Sequence, residues 1–266
     1  MPSVTALRHA PWSLSKAKCA LRCPQEFHFR YVEKIPELAV EPDARIGKAV
    51  HALLETLLKR KPLADALAAG RKGLLHAAEH TRFDELVPAA QAFVERIATF
   101  RSRRRVEREL VEHRVAVDAA LAPVPFFDKA AYFRGVWDLG YVFNEGEVAV
   151  VDHKTGARRA VSEFGDQLQA YGVLAVAHLR AARRVWLGVH FVAAESMEWS
   201  VPVPVEAVAT ELAPQLLEML EEAGRAVAGP VAPKESSWCE RCAYRSICPA
   251  MRARAAAAAD APGGSG

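Results

Sequence analysis

The 266-residue sequence has no stretch of about 18 uncharged apolar residues, the length a helix needs to span a bilayer. Its opening, MPSVTALRHAPW, carries no apolar h-region, so no leader or anchor is expected and the chain reads as soluble and cytoplasmic, with no membrane contact. A G-x-x-x-x-G-K-[ST] phosphate loop is missing, which excludes a recognisable nucleotide-driven motor. Internal repeats and a strong interdomain linker are missing too, so one body with an added helical segment is expected. Charge of one sign is scarce: the formal net charge of +3 cannot by itself hold a nucleic acid, although a local basic stripe could. Cysteines number only five, an odd count that argues against a disulfide framework and turns attention to metal or cluster ligation.

What is present is apolar. Hydrophobic residues make up 51% of the chain, enough to bury a sizeable core and exclude disorder for most of it. The first half is largely helical: LSKAKCALRCPQEFHFRYVEKI reads as a helix interrupted near Pro24, IGKAVHALLETLLKR has helical apolar spacing, and a third helix is expected from about Asp84 to Arg108. The period then changes. VEHRVAVD, FRGVWDLGYVF, EVAVVDHK, RRVWLGVHFV and MEWSVPV read as strands, with a helical pattern, EFGDQLQAYGVLAVAHLRAA, between the third and fourth. That order suits an α/β fold whose mixed sheet gains its parallel connection from this helix. A further helix is expected from about Val205 to Ala228, and the tail 251–266 is low-complexity and expected to be mobile.

NEGE at Asn144–Glu147 is a turn signal, so Gly135–Lys154 is an expected hairpin. Asp138 and Asp152 lie at equal distances from its centre and should face each other, with opposed Cβ atoms about 5 Å apart. Two carboxylates that close repel unless a cation lies between them. Alternation places Lys154 on the face of Asp152, and His153 on the other. A hard divalent cation held by oxygen would offset the repulsion, activate a water and polarise a phosphoryl oxygen, with Lys154 orienting the water or stabilising the transition state. A lone D-x-K is ordinarily a salt bridge at a sheet end; the opposed acid is what favours a site.

These residues resemble the motifs of the PD-(D/E)xK nuclease superfamily, specifically its RecB-like branch with an iron-sulfur cluster, which includes the AddB nuclease domain and the CRISPR-associated adaptation exonucleases. GVWD (Gly135–Asp138) is similar to the family's first acidic motif, VVDHKTG to its D-x-K motif, GKAVH (Gly47–His51) to its helical G-x-x-x-H, and QLQAY (Gln167–Tyr171) to its Q-x-x-x-Y. The resemblance implies a restriction-endonuclease-like mixed central sheet flanked by helices. It implies His51, Asp138, Asp152 and the carbonyl of His153 as ligands of Mn2+ or Mg2+, Lys154 as catalytic ammonium, and Gln167 and Tyr171 beside it. The family also carries an acid on the preceding strand, for which Glu112 fits better than Glu109, though both could be solvated charges. The insertion DAALAPVPFFDKAAY has no assigned role.

Cys239, Cys242 and Cys248 form a close triplet, and Cys23 is the fourth thiol. A shared centre would tie the two chain ends together as a structural staple. Spacing alone suits Zn2+ or [4Fe-4S]; the resemblance, with one distant N-terminal cysteine before a proline, implies [4Fe-4S]. Cys19 could substitute as a ligand, or be a buried free thiol. The implied organisation is a single domain over 1–250: 1–35 and 230–250 form a cluster module, 45–110 is helical and 111–204 is the sheet core.

RSRRRVER makes Arg101, Arg103, Arg104 and Arg105 candidate phosphate contacts, though a solvated helix face is an equally ordinary explanation. Trp12, Phe27, Phe29 and Tyr31 could stack bases or fill a core. The expected function is a metal-dependent exonuclease on single-stranded DNA, used alone or with a separate helicase or CRISPR adaptation complex, in repair, recombination, phage metabolism or CRISPR adaptation. The alternative is an inactive iron-sulfur DNA-binding adaptor or end-sensor.

Overall fold

The structure is a computed structural model that describes residues 4–38 and 40–259. The chain opens with three short helices, α1 (Val4–Arg8), α2 (Leu14–Arg22) and α3 (Pro24–Phe27), followed by a π-turn over His28–Val32. The expected helix breaks at Cys23, whose backbone is extended (φ −157°, ψ 109°). Pro24 explains this: its ring disfavours helical backbone at the residue before it, while proline itself fits the first helical position.

Three longer helices follow, α4 (Pro42–Leu58), α5 (Leu63–Arg71) and α6 (Ala77–Arg103), with α4 packed on both of the others. The sequence pattern did not single out α5. Then come β1 (Val106–Val117), β2 (Pro123–Val124), β3 (Phe133–Phe143), β4 (Glu147–Lys154), α7 (Gly165–His178), β5 (Arg184–Phe191), β6 (Ser196–Trp199) and β7 (Val203–Pro204). The chain finishes with α8 (Val205–Ala207), α9 (Ala213–Ala226) and α10 (Pro249–Ala259). Residues 251–259, expected in a mobile tail, are thus helical; the rest of that tail lies outside the described residues.

The strands form one mixed sheet in the order β2-β1-β3-β4-β5-β6, with β7 also pairing β5. Only β4 and β5 pair in parallel, and α7 makes that crossover, as the strand and helix order implied. Between β3 and β4 the turn is Asn144–Gly146, where Gly146 has φ 76° and a Cβ would strike the Ala181 carbonyl, so glycine is required. Leu53, Leu54, Phe83, Phe93, Leu139 and Val151 are buried where α4 and α6 meet the sheet. Each such side chain stabilises the fold by about 1.5–3 kcal/mol, and together they fix α4 against β3 and β4.

Two compact units result. One gathers Ala10–Leu14 and Pro42–Glu218 and contains the whole sheet; the other gathers Ser15–Glu41 and the segment from Met219 onward, and contains all five cysteines. Among the described residues, no helix is long and apolar enough to cross a membrane.

Candidate active site

Hairpin register builds the centre of the sheet unit. β3 and β4 pair Leu139 with Val151 and Gly140 with Val150, so Asp138 and Asp152 occupy the next facing positions. On the other side β1 pairs Val111 with Leu139 and His113 with Trp137, which sets Glu112 opposite Asp138. Three carboxylates therefore form one row across three strands. Glu112 has φ 49°, a left-handed backbone rarely adopted by non-glycine residues and costing roughly 1–3 kcal/mol. At this same level β3 departs from strict alternation: a Cβ on Gly140 would lie 3.5 Å from the Trp137 ring, so residues three apart share a face.

α4 supplies the imidazole. Val50, Leu53 and Leu54 bury one side of the helix, and Gly47, His51 and Glu55, each four residues apart, line a single stripe. A Cβ on Gly47 would rest at ordinary contact distance, 3.5 Å, from the Thr155 hydroxyl, so space alone does not demand glycine there. His51 Nδ1 is 3.2 Å from Asp138 Oδ1, and its Nε2 is 3.0 Å from the carbonyl oxygen of His153. The His153 N–H in turn donates to Asp138 Oδ2 at 2.6 Å. His51, Glu112 and Asp138 bring ligand atoms to within 4.8 Å of one another.

The electrostatics describe crowded negative charge. Burial, then the charges of Asp138 and Glu55, push Glu112 up to about 7. Burial and the Asp138 charge likewise raise Asp152. Burial would raise Asp138 also, but the hydrogen bond and charge of His51 outweigh it and hold that carboxyl below the usual range. For His51 burial opposes the charged form, yet Asp138, Asp152 and Glu112 lift it above the ordinary imidazole value. Both ring nitrogens face oxygens, Nδ1 the Asp138 carboxylate and Nε2 the His153 carbonyl. Such a donor set, carboxylates and a carbonyl with one imidazole, fits a hard divalent cation of the Mg2+ or Mn2+ kind.

α7 completes the other side. Lys154 Nζ lies 2.7 Å from Asp152 Oδ2 and donates to Gln167 Oε1 at 3.0 Å. Gln167 Nε2 donates to Asp152 Oδ1 and, at 3.1 Å, to the Tyr171 hydroxyl, which itself donates to Asp152 Oδ1 at 3.2 Å. The four-residue spacing of Gln167 and Tyr171 makes this possible, because both face the strand from one helical turn. Phe164, which sequence reasoning missed, carries Lys154 Nζ 5.6 Å from its ring centre. Glu55 was missed as well; its spacing of four from His51 was the available signal.

Other sequence candidates lie elsewhere. Glu109 is tied to Arg101 (3.1 Å), to Arg60 (3.5 Å) and to the Tyr141 hydroxyl (3.1 Å), so Glu112 is the β1 acid that meets the site. The run Arg101–Arg105 sits where α6 meets β1, beside the hairpin turn, five residues and about 17 Å along β4 from Asp152. Arg104 pairs with Glu147 at 3.1 Å, so that basic charge is partly neutralised. Trp12, Phe27 and Phe29 are buried core residues rather than exposed stacking surfaces.

In the cysteine-containing unit Cys23, Cys239, Cys242 and Cys248 line one cavity. The Lys234 N–H approaches Cys23 Sγ at 3.5 Å and the Ser236 N–H approaches Cys239 Sγ at 3.4 Å. Four thiols around one cavity, two of them receiving backbone donors, are ligand types that a thiolate-bound metal centre uses. Cys19 does not line the cavity; it is buried, and burial pushes its thiol up to about 12, which disfavours the ligating thiolate.

Residues 11–249 match the model of the PD-(D/E)XK nuclease superfamily, and the chain belongs to that superfamily. Among solved structures, a protein from Eubacterium rectale named "Putative exonuclease" matches at 12% identity and a TM-score of 0.50, over 94% of this chain and 90% of that one. At that identity the likeness is one of fold. The protein SSO0001 aligns at 16% identity over 89% of this chain and 95% of its own, with a TM-score of 0.33, too low to carry an argument. A comparison with curated proteins returns no match.

Proposed function

We propose that the protein is a metal-dependent deoxyribonuclease that acts as an exonuclease on single-stranded DNA. The observation that carries this reading is the convergence of His51, Glu112 and Asp138 on one side of the β3/β4 hairpin with Asp152, Lys154 and Gln167 on the other. In this reading His51, Glu112, Asp138, Asp152 and the His153 carbonyl hold Mn2+ or Mg2+. Held there, such an ion would supply a nucleophilic water and polarise a phosphoryl oxygen.

The chain's own groups do the rest. Lys154 presents an ammonium to the phosphoryl group during in-line displacement, offsetting the charge that gathers there. Gln167 accepts from Lys154 and donates to Asp152, fixing both, and Tyr171 holds Asp152 from the same helix face. Phe164 keeps the ammonium in place from beneath. This chain contains no nucleotide-driven motor motif, so its strands are either already single or opened by a separate helicase or a CRISPR adaptation complex. An inactive adaptor would have no use for a lysine and glutamine locked onto Asp152, which weighs against that alternative.

The cysteine-containing unit, in this reading, carries a [4Fe-4S] cluster on Cys23, Cys239, Cys242 and Cys248. Support comes from their common cavity and the backbone donors on their sulfurs. The test of the catalytic reading is digestion of end-labelled single-stranded and duplex DNA with and without Mn2+, with 5′- or 3′-blocked ends. Digestion of the single strand only with metal and only from a free end is expected; metal-independent or absent digestion overturns it.

A further inference from the structure

The insertion at 118–132 is a built element. β2 pairs antiparallel with β1, Ala116 with Val124 and Val117 with Pro123. The Asp118 carboxylate accepts from the N–H groups of Ala120 and Ala122 at 2.8 and 2.9 Å, closing the first turn. A second turn is closed by the Asp128 N–H on the Pro125 carbonyl at 2.9 Å, and its two central residues are Phe126 and Phe127. Central turn positions ordinarily take glycine, proline or small polar residues. Here they hold two rings 5.1 Å apart, edge to face, with Phe127 74% exposed.

Two arginines flank these rings. The Arg114 guanidinium lies 5.7 Å from the centre of each ring, and that of Arg134 lies 5.3 Å from Phe126 and 5.9 Å from Phe127. Among the described residues neither guanidinium has a carboxylate within 4.0 Å, whereas Arg101 and Arg104 are both paired with glutamates. Arg134 spends one Nη2 hydrogen on the Asp128 carbonyl at 3.3 Å, and its buried Nε has no acceptor. Positive charge and open aromatic surface thus coincide. Their place in the chain is close to the metal site: Arg114 is two residues from Glu112 on β1, about 7 Å, and Arg134 four from Asp138 on β3, about 13 Å.

We propose that the Phe126–Phe127 turn with Arg114 and Arg134 is a base-stacking and phosphate-gripping subsite that holds a single DNA strand beside the scissile position. The inference rests on the nuclease reading above. An unpaired base offers a π-face that Phe127 can cover, and the neighbouring phosphates match the two uncompensated guanidiniums; a duplex, with its bases stacked inside, offers no such face.

The test uses the full chain carrying Asp152→Asn, so that bound DNA persists, and two fluorescein-labelled probes of equal length, oligothymidylate and an abasic strand. Adding Phe127→Ala should weaken oligothymidylate binding roughly tenfold and leave the abasic strand unchanged. Phe127→Trp should restore the grip, and Phe127→Leu should not. Arg114→Gln and Arg134→Gln should each reduce the salt dependence of binding by about 0.7 in the log–log slope. Unchanged oligothymidylate affinity in Phe127→Ala, equal loss of both probes, or no binding of either probe by the parent overturns the subsite. The catalytic reading is judged separately, by digestion with the unmutated protein: retained digestion with a failed subsite leaves it standing, and absent digestion sinks it whatever the probes show.

Discussion

His51 Nδ1 and Asp138 Oδ1 lie 3.2 Å apart, which joins the middle of α4 to the middle of β3 at the point where Glu112 and Asp152 also arrive. The imidazole thus sits beside the Glu112 and Asp138 carboxylates, their ligand atoms within 4.8 Å of one another, and feels the charge of Asp152 as well. Its two nitrogens face the Asp138 carboxylate and the His153 carbonyl.

Asp152→Ala or Lys154→Ala should abolish metal-dependent digestion, with a loss of at least about 10²-fold; Lys154→Ala should keep the fold, whereas Asp152 is buried and accepts from Gln167 and Tyr171, so Asp152→Ala should also lower stability. Gln167→Ala should be milder, roughly tenfold, since it orients these groups rather than supplying the charge. Initial rates on labelled single strands, with circular dichroism as the control for folding, check both.

Glu112→Gly separates strain from chemistry. Glycine adopts φ 49° freely, and removing the carboxylate relieves its crowding with Asp138 and Glu55, so the variant should melt at or above the parent temperature. Metal affinity and digestion should fall by tenfold or more, by loss of an oxygen ligand. Calorimetry and Mn2+ titration measure the two effects independently; a lower melting temperature would count against the strain argument.

Anaerobically purified protein should absorb near about 400 nm and contain iron rather than zinc. Cys242→Ala should lose that absorbance and melt at a lower temperature, whereas Cys19→Ala should keep it, because Cys19 does not line the cavity shared by the other four. Metal analysis showing one zinc per chain would replace the cluster with a tetrahedral site.

Acid stability should depend on Glu79. It is buried, and its hydrogen bonds to Arg45 and to the Leu75 N–H hold it down to about 2. A carboxyl depressed in the folded state contributes stability that is fully present above its ordinary value near 4.5 and is lost as pH falls towards 2. Glu79→Gln should flatten the acid limb of the melting-temperature profile across that window and lower stability at neutral pH.

Much of the geometry around the β3/β4 hairpin was legible in the chain. The hairpin centre at Asn144–Gly146 fixes which β3 residue faces which β4 residue, and alternation along β4 correctly sets Lys154 beside Asp152 and His153 on the side of Phe93. The Gln167/Tyr171 spacing likewise anticipated their shared face. The same alternation fails on β3 at Asp138, where Trp137 and Gly140 share a side, because the left-handed Glu112 opposite disturbs the ladder.

What the sequence determined by itself is local: turn chemistry and the two-residue and 3.6-residue periods act between near neighbours, so the facing aspartates and the paired residues of α7 follow from spacing. What only the tertiary structure decided is long-range. Glu112 rather than Glu109 enters the site because Arg60, Arg101 and Tyr141 claim Glu109; the dense arginine run is partly neutralised by Glu109 and Glu147; the aromatic insertion turns out to lie beside two strand arginines, Arg114 and Arg134. Each of these outcomes depends on which charges the folded sheet and helices bring within a few ångströms, and charge pairing at that range is set by strand order and helix packing, not by position along the chain.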